Sequence, residues 1–147
     1  MKATIRRAIP KDAQDLAVLY HQLTGEVLHP IRMERAIEEQ FGPASNTCLL
    51  VAQAPDGTLV GTLEGICCPA LTENCRPFLV VENVVVSESC RGQGLGTQLF
   101  NALEDWARQK NCSSIQLVSS AFRTDAHSFY EKLGFQEAVR GFRKPLL

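Results

Sequence analysis

The sequence has no clustered run of Lys and Arg: 15 basic against 16 acidic residues leave a formal net charge of −1. A positively charged nucleic-acid surface is therefore not expected. No apolar segment approaches the roughly 18 residues that a membrane span requires, so no membrane partner is expected either. The opening "MKATIRRAIPKDAQ" turns polar at once and offers neither a long apolar region nor a small-residue cleavage site. A cytoplasmic protein without a secretory leader is the expectation. Six cysteines are present, yet none forms a C-x-x-C pair and no Cys/His cluster has zinc-ligand spacing. Neither a metal nor a disulfide is expected, and Cys67 and Cys68 should point to opposite faces of a strand. Repeats, linkers and low-complexity segments are also missing, so residues 1–147 are expected to form a single domain.

What is present is a succession of strand and helix patterns. "ATIRRAI" reads as a first strand and Pro10–Asp12 as a turn, after which Leu16, Leu19, Tyr20 and Leu23 recur at helical spacing until Gly25. A second, more polar helix, "IRMERAIEEQ", runs to Gly42. "TCLLVAQ" and "TLVGTLEGICC" are apolar runs joined by "APDG", whose Asp56-Gly57 pair predicts an antiparallel hairpin. "FLVVENVVV" reads as a long central strand, and "GLGTQLFNALEDWARQK" as a helix with Leu95, Leu99, Leu103 and Trp106 on one stripe. "SIQLVSS" is a further strand. Thr124 is expected to cap a helix whose Ala126, Phe129, Tyr130 and Leu133 face ends at Gly134. "FQEAVRGFRKPL" is expected to close the chain as one or two strands. This order predicts the α/β class: one mixed, largely antiparallel twisted sheet with helices on both faces.

The loop "RGQGLG" between the central strand and its helix asks what the glycines are for. A plain structural turn is one answer. A dinucleotide fingerprint needs G-x-G-x-x-G directly after the strand, whereas Gly92, Gly94 and Gly96 are spaced G-x-G-x-G and residues 87–91 intervene. A P-loop needs Lys-Ser/Thr where Thr97-Gln98 stands. The remaining reading is R-x-x-G-x-G at a helix start, with Arg91, Gly94 and Gly96 in the fixed positions. Unpaired N–H groups and the helix dipole favour an anion there, glycines let it approach the backbone, and Arg91 adds a charge.

"ENVVVSESCRGQGLGTQLF" resembles the acyl-CoA-binding motif of the GNAT superfamily of N-acetyltransferases, and "SFYEKLGF", residues 128–135, resembles that superfamily's later tyrosine-bearing helix. The resemblance is close from Phe78 onward and looser over "IRRAIPKDAQDLAVL". It implies the GNAT fold and transfer of an acetyl group from acetyl-CoA, as cosubstrate, to a primary amine. Backbone groups of Val84, Val85 and Val86 would bond the pantetheine arm, while Arg91, Gly92, Gln93, Gly94, Leu95 and Gly96 hold the pyrophosphate. Tyr130 would serve as general acid and Glu82 as the base. Core packing is the alternative for Tyr130, and a solvated strand carboxylate for Glu82. The family often has asparagine seven residues before the tyrosine; Arg123 stands there, so that contact is not carried over.

An alkylammonium near pKa 10.4 facing a carboxylate near 4.3 is mismatched by about 8 kcal/mol, so burial or relay waters must assist Glu82. A phenol near 10 protonating a thiolate near 8.5 is uphill by only about 2 kcal/mol, which Tyr130 can manage. A small-molecule amine is the expected acceptor, chosen mainly by the first half of the chain, including "TGEVLHPIRMERA" between the first two helices, and by the C-terminal "RGFRKPL". A protein N-terminus or lysine, and a non-catalytic acyl-CoA sensor, are the alternatives. The oligomeric state is open, a homodimer among the options.

Overall fold

The computed structural model describes residues 1–119 and 124–147, with Thr124 described by its backbone alone. Two compact units emerge, Met1–Gln116 and Leu117–Leu147.

The first unit begins with β1 (Thr4–Arg7), a single 3-10 turn over Pro10–Asp12, and α1 (Ala13–Thr24). Asp12 fixes that entry: its carboxylate accepts the Ile9 N–H at 2.8 Å and the Arg6 guanidinium at 2.8 and 2.9 Å. Helix α1 closes on Gly25, left-handed at φ 75, whose N–H donates to the His21 carbonyl. Helix α2 (Pro30–Gln40) follows, then the hairpin of β2 (Thr47–Gln53) and β3 (Leu59–Cys68), turned as predicted at Asp56, whose carboxylate accepts the Thr58 N–H. Strand β4 (Phe78–Val86), a short 3-10 turn Glu88–Cys90, α3 (Leu95–Gln109) and β5 (Ile115–Leu117) complete the order β1-β2-β3-β4-β5. The first three neighbour pairs are antiparallel.

Alternation along the strands gives the sheet two apolar faces. Leu49, Val51, Leu59 and Val85 pack with Leu16, Leu19 and Tyr20 of α1 and Ile37 of α2. On the opposite face, Gly65 receives Leu103 of α3 so closely that a Cβ there would lie 2.6 Å from the leucine Cδ1. Helices on both faces were thus legible. One feature was not. Glu82 pairs with Glu64 and Val85 with Thr62, so Asn83 and Val84 together oppose Leu63: β4 carries a bulge, with Asn83 at φ 51.

In the second unit α4 (Thr124–Lys132) ends at Gly134, left-handed at φ 93, and the Phe135 N–H reaches back to the Tyr130 carbonyl at 3.1 Å. The closing strands expected from "FQEAVRGFRKPL" do not form: residues 135–147 carry no strand. A strand exists by pairing its backbone, and this segment, interrupted by Gly141 and Pro145, leaves Phe142 at 95% exposure. The expected Thr124 cap lies outside the described side chains.

Candidate functional site

Past the bulge, β4 splits its backbone between two edges. The Ser87 N–H donates to the Val60 carbonyl at 2.8 Å, which makes 87/60, and by alternation 85/62, the mutually bonded pairs with β3. Val85 therefore turns its N–H and C=O toward β3, while Val86 turns its own to the outer edge. The carbonyl of Val86 accepts from Arg91 Nε at 3.3 Å. Of the three valines expected to offer backbone groups, Val86 points outward, Val84 lies within the bulge, and Val85 is committed to the sheet, its side chain in the core.

Beyond the Glu88–Cys90 turn the chain passes Arg91, Gly92 (φ 77) and Gln93, all exposed, into Gly94, which stands at the N-cap of α3 with φ 79. The two positive φ values give part of the reason for glycine, and neither position has any atom within 4 Å of where a Cβ would sit. A glycine N-cap has no side chain to satisfy the helix start. The first bond of α3 is from the Gln98 N–H to the Gly94 carbonyl, so the N–H groups of Leu95, Gly96 and Thr97 have no intrahelical acceptor. No acidic residue lies in this first turn. Leu95, 1% exposed, anchors the turn to the core and holds these donors in place. Helix α1 braces the loop from the other side, Gln22 Oε1 accepting the Glu88 N–H at 3.1 Å. A strand edge, a free helix start and a cation tied to that edge suit a ligand that runs along β4 and ends in a phosphate-like anion.

At the bulge the carboxylates gather. Glu82 is exposed, and directly across from it on β3 is Glu64, on the same face of the sheet. Asn83 Nδ2 donates to Glu64 Oε2. Burial holds the Glu64 carboxyl above the ordinary glutamate range, the Glu82 charge adds to this, and the Asn83 hydrogen bond opposes both. Glu64 also lines a cavity of about 200 Å³ walled by Leu16, Tyr20, Met33, Ile37 and Leu49. Of the stretch expected to choose the acceptor, Leu28, Met33 and Ala36 contribute to its wall.

Glu64 was missed in the sequence, although it interrupts an apolar strand just as Glu82 does. Tyr130 belongs to the second unit, where its ring lies tilted at 5.5 Å from Phe129 and edge-on at 6.0 Å from Phe135. Arg123 lies outside the described residues.

Residues 13–135 match the model of the acetyltransferase (GNAT) family. The chain belongs to that family. Among relatives, it is 40% identical over 111 residues to an aminoglycoside N(6')-acetyltransferase type 1 of Klebsiella aerogenes, covering 70% of each chain. It is 38% identical over 92 residues to a glucosamine 6-phosphate N-acetyltransferase of Trypanosoma brucei brucei, covering 63% of this chain and 60% of the relative. Among solved structures, a putative acetyltransferase from Agrobacterium tumefaciens superposes with a TM-score of 0.87 at 28% identity, covering 97% of this chain and 99% of that one. AAC(6')-Iy, solved in complex with the bisubstrate analogue CoA-S-monomethyl-acetylneamine, gives 0.80 at 25% identity and 99% coverage of both. GNAT proteins use acetyl-CoA, and the α3 start and Arg91 offer donors of the kind its diphosphate needs. No helix among the described residues is long and apolar enough to cross a membrane.

Proposed function

We propose that this GNAT protein transfers the acetyl group of acetyl-CoA to a primary amine of a small molecule, by direct attack of the amine on the thioester. The observation that carries the reading is the Gly94-capped start of α3, whose first N–H groups have no intrahelical acceptor, beside Arg91 and the outer edge of β4. Names of relatives, which specify an aminoglycoside and glucosamine 6-phosphate, support a small amine.

Acetyl-CoA supplies an activated acyl group and a thiolate leaving group. Arg91 and the N–H groups of Leu95, Gly96 and Thr97 bind its diphosphate, and Gly92, Gln93 and Gly94 keep the approach open. Val84 and Val86 orient the pantetheine arm through their backbone groups. The proton lost by the amine passes to the Glu64–Glu82 pair: Glu82, the base expected from the sequence, faces solvent, and Glu64, its carboxyl pKa pushed up by burial, is the better matched acceptor. Tyr130 gives its proton to the departing sulfur, an assignment supported by the "SFYEKLGF" motif. Residues 1–147 act in this reading as a single acetyltransferase domain. The test is CoA release from acetyl-CoA over a panel of amines; tight acetyl-CoA binding without release for any acceptor would leave a sensor and refute the enzyme.

A further inference from the structure

We infer that the cavity between α1, α2 and the sheet is the acceptor pocket, and that it takes a primary amine with a small apolar body, a single ring or a short branched alkyl chain, whose ammonium is received by Glu64. The inference rests on the acetyltransferase reading and narrows its substrate class.

Size sets the first limit. A cavity of about 200 Å³ is smaller than the roughly 300–1,000 Å³ pockets that hold drug-sized ligands, whereas an apolar cavity of roughly 150 Å³ suffices for benzene. Lining sets the second. Leu16, Leu28, Met33, Ile37, Phe41 and Leu49 present only hydrocarbon, sulfur or aromatic surface. A sugar ring would bring a hydroxyl on nearly every carbon and find no partner for most of them, each costing on the order of 1–3 kcal/mol. The aminoglycoside and amino-sugar names of the relatives are therefore not what this wall fits.

Charge sets the third. Glu64 is the one ionisable carboxylate in the lining, and its sole hydrogen bond among the described residues comes from Asn83. A carboxylate has about four lone-pair sites, so Glu64 has acceptor capacity left for an ammonium. Its cross-strand neighbour Glu82 makes the site a like-charge pair, which a cation relieves. Tyr20 adds an independent sign. It lines the cavity at 9% exposure, and among the described residues its buried hydroxyl has only Thr62 and Glu64 as polar side-chain neighbours. Thr62 spends its own proton on the Leu50 carbonyl at 2.7 Å. Toward Tyr20 it can therefore only accept, and a buried hydroxyl beside a carboxylate with acceptor capacity left gives an arriving ammonium two oxygens to meet. The Asn83 contact then places the ammonium end of the cavity at the bulge, where the outward backbone of β4 begins.

The test compares 2-phenylethylamine and isobutylamine with glucosamine, in wild type and in Ala36→Phe, which fills the cavity from α2. Two readouts are taken: amine binding, from NMR shifts of the Met33 methyl, and CoA release. Wild type should bind the apolar amines, with kcat/KM at least tenfold above that for glucosamine, and Ala36→Phe should lose both by at least tenfold at unchanged acetyl-CoA affinity. Glucosamine preferred, or apolar amines unaffected by Ala36→Phe in a folded variant, overturns the inference while acetyl transfer stands. If no amine releases CoA, the acetyltransferase reading falls, and the binding shifts still decide the pocket: shifts abolished by Ala36→Phe support it, and no shifts overturn it.

Discussion

Replacing Glu64 and Glu82 by glutamine, singly and together, separates the two carboxylates that face each other across β3 and β4. Glu64 combines burial with a raised carboxyl pKa, so Glu64→Gln should behave as removal of a base, a loss of about 10²–10⁴-fold in kcat/KM at neutral pH. That loss should ease as pH rises toward the amine's own pKa. Glu82 is exposed and acts on its neighbour as a like charge; such cross-strand pairs are worth about 0.2–1 kcal/mol, so Glu82→Gln should change kcat/KM by no more than about fivefold. Removing its charge lowers the Glu64 pKa, and the acidic limb of the pH profile should move to lower pH. Stability gives a second readout. Because the folded Glu64 carboxyl titrates above its unfolded value, its adverse contribution is absent below the unfolded pKa and develops as pH rises through the folded one. Glu64→Gln should thus raise Tm at neutral pH, with the gap closing in acid. CoA release followed by a thiol reagent, with one acceptor across pH, supplies the profiles. A hundredfold loss in Glu82→Gln beside near-normal Glu64→Gln would refute the reasoning from burial and return the base to Glu82.

Arg91→Ala should weaken acetyl-CoA binding at least tenfold, about 1.4 kcal/mol, by calorimetry; unchanged affinity removes the loop from the site. Alanine at Arg91 is a cleaner probe than valine at Gly94, where φ is 79 and any side chain is strained. Tyr130→Phe keeps the ring contacts with Phe129 and Phe135 but deletes the proton, so kcat should fall more than acetyl-CoA affinity, and unchanged kcat at every pH would make the residue structural. Asp12→Asn breaks a half-buried fork with Arg6 and should cost about 2–3 kcal/mol in chemical denaturation. Burial works to raise the Asp12 pKa, but Arg6 and the Ile9 N–H overcome it and hold it below the ordinary aspartate range. Its stabilisation is therefore full above the unfolded pKa and fades as pH falls through the folded one, so wild type and variant should converge in strong acid.

Local chemistry explains what the sequence disclosed. Gly25, the Asp56-Gly57 turn, the α3 stripe and Gly134 act on residues within a turn or two of themselves, and each appears in the structure where its pattern put it. The glycine-capped start of α3 was legible for the same reason: a helix start needs only its own first residues. The closing strands failed because strand formation depends on a partner that no short pattern names.

Glu64 and the bulge were hidden by a different cause. In "TLEGI" and "VENVV" two glutamates interrupt two apolar runs in the same way, and nothing local says whether they meet. The register says so: Thr47 opposite Ile66 fixes β3 on β2, and Cys68 opposite Phe78 fixes β4 on β3, which brings Glu64 to Glu82. With an unbroken ladder from Glu64 to Glu82, Thr62 would meet Val84. Asn83 instead takes a left-handed φ, Val85 meets Thr62, and the side chain of Asn83 is left free to bond Glu64. One extra residue in β4 thereby both sets the edge toward which Val86 turns and holds the Glu64 carboxylate against the apolar cavity. The proposed donor and acceptor sites would thus be joined at a single irregularity, and Asn83→Ala should disturb both.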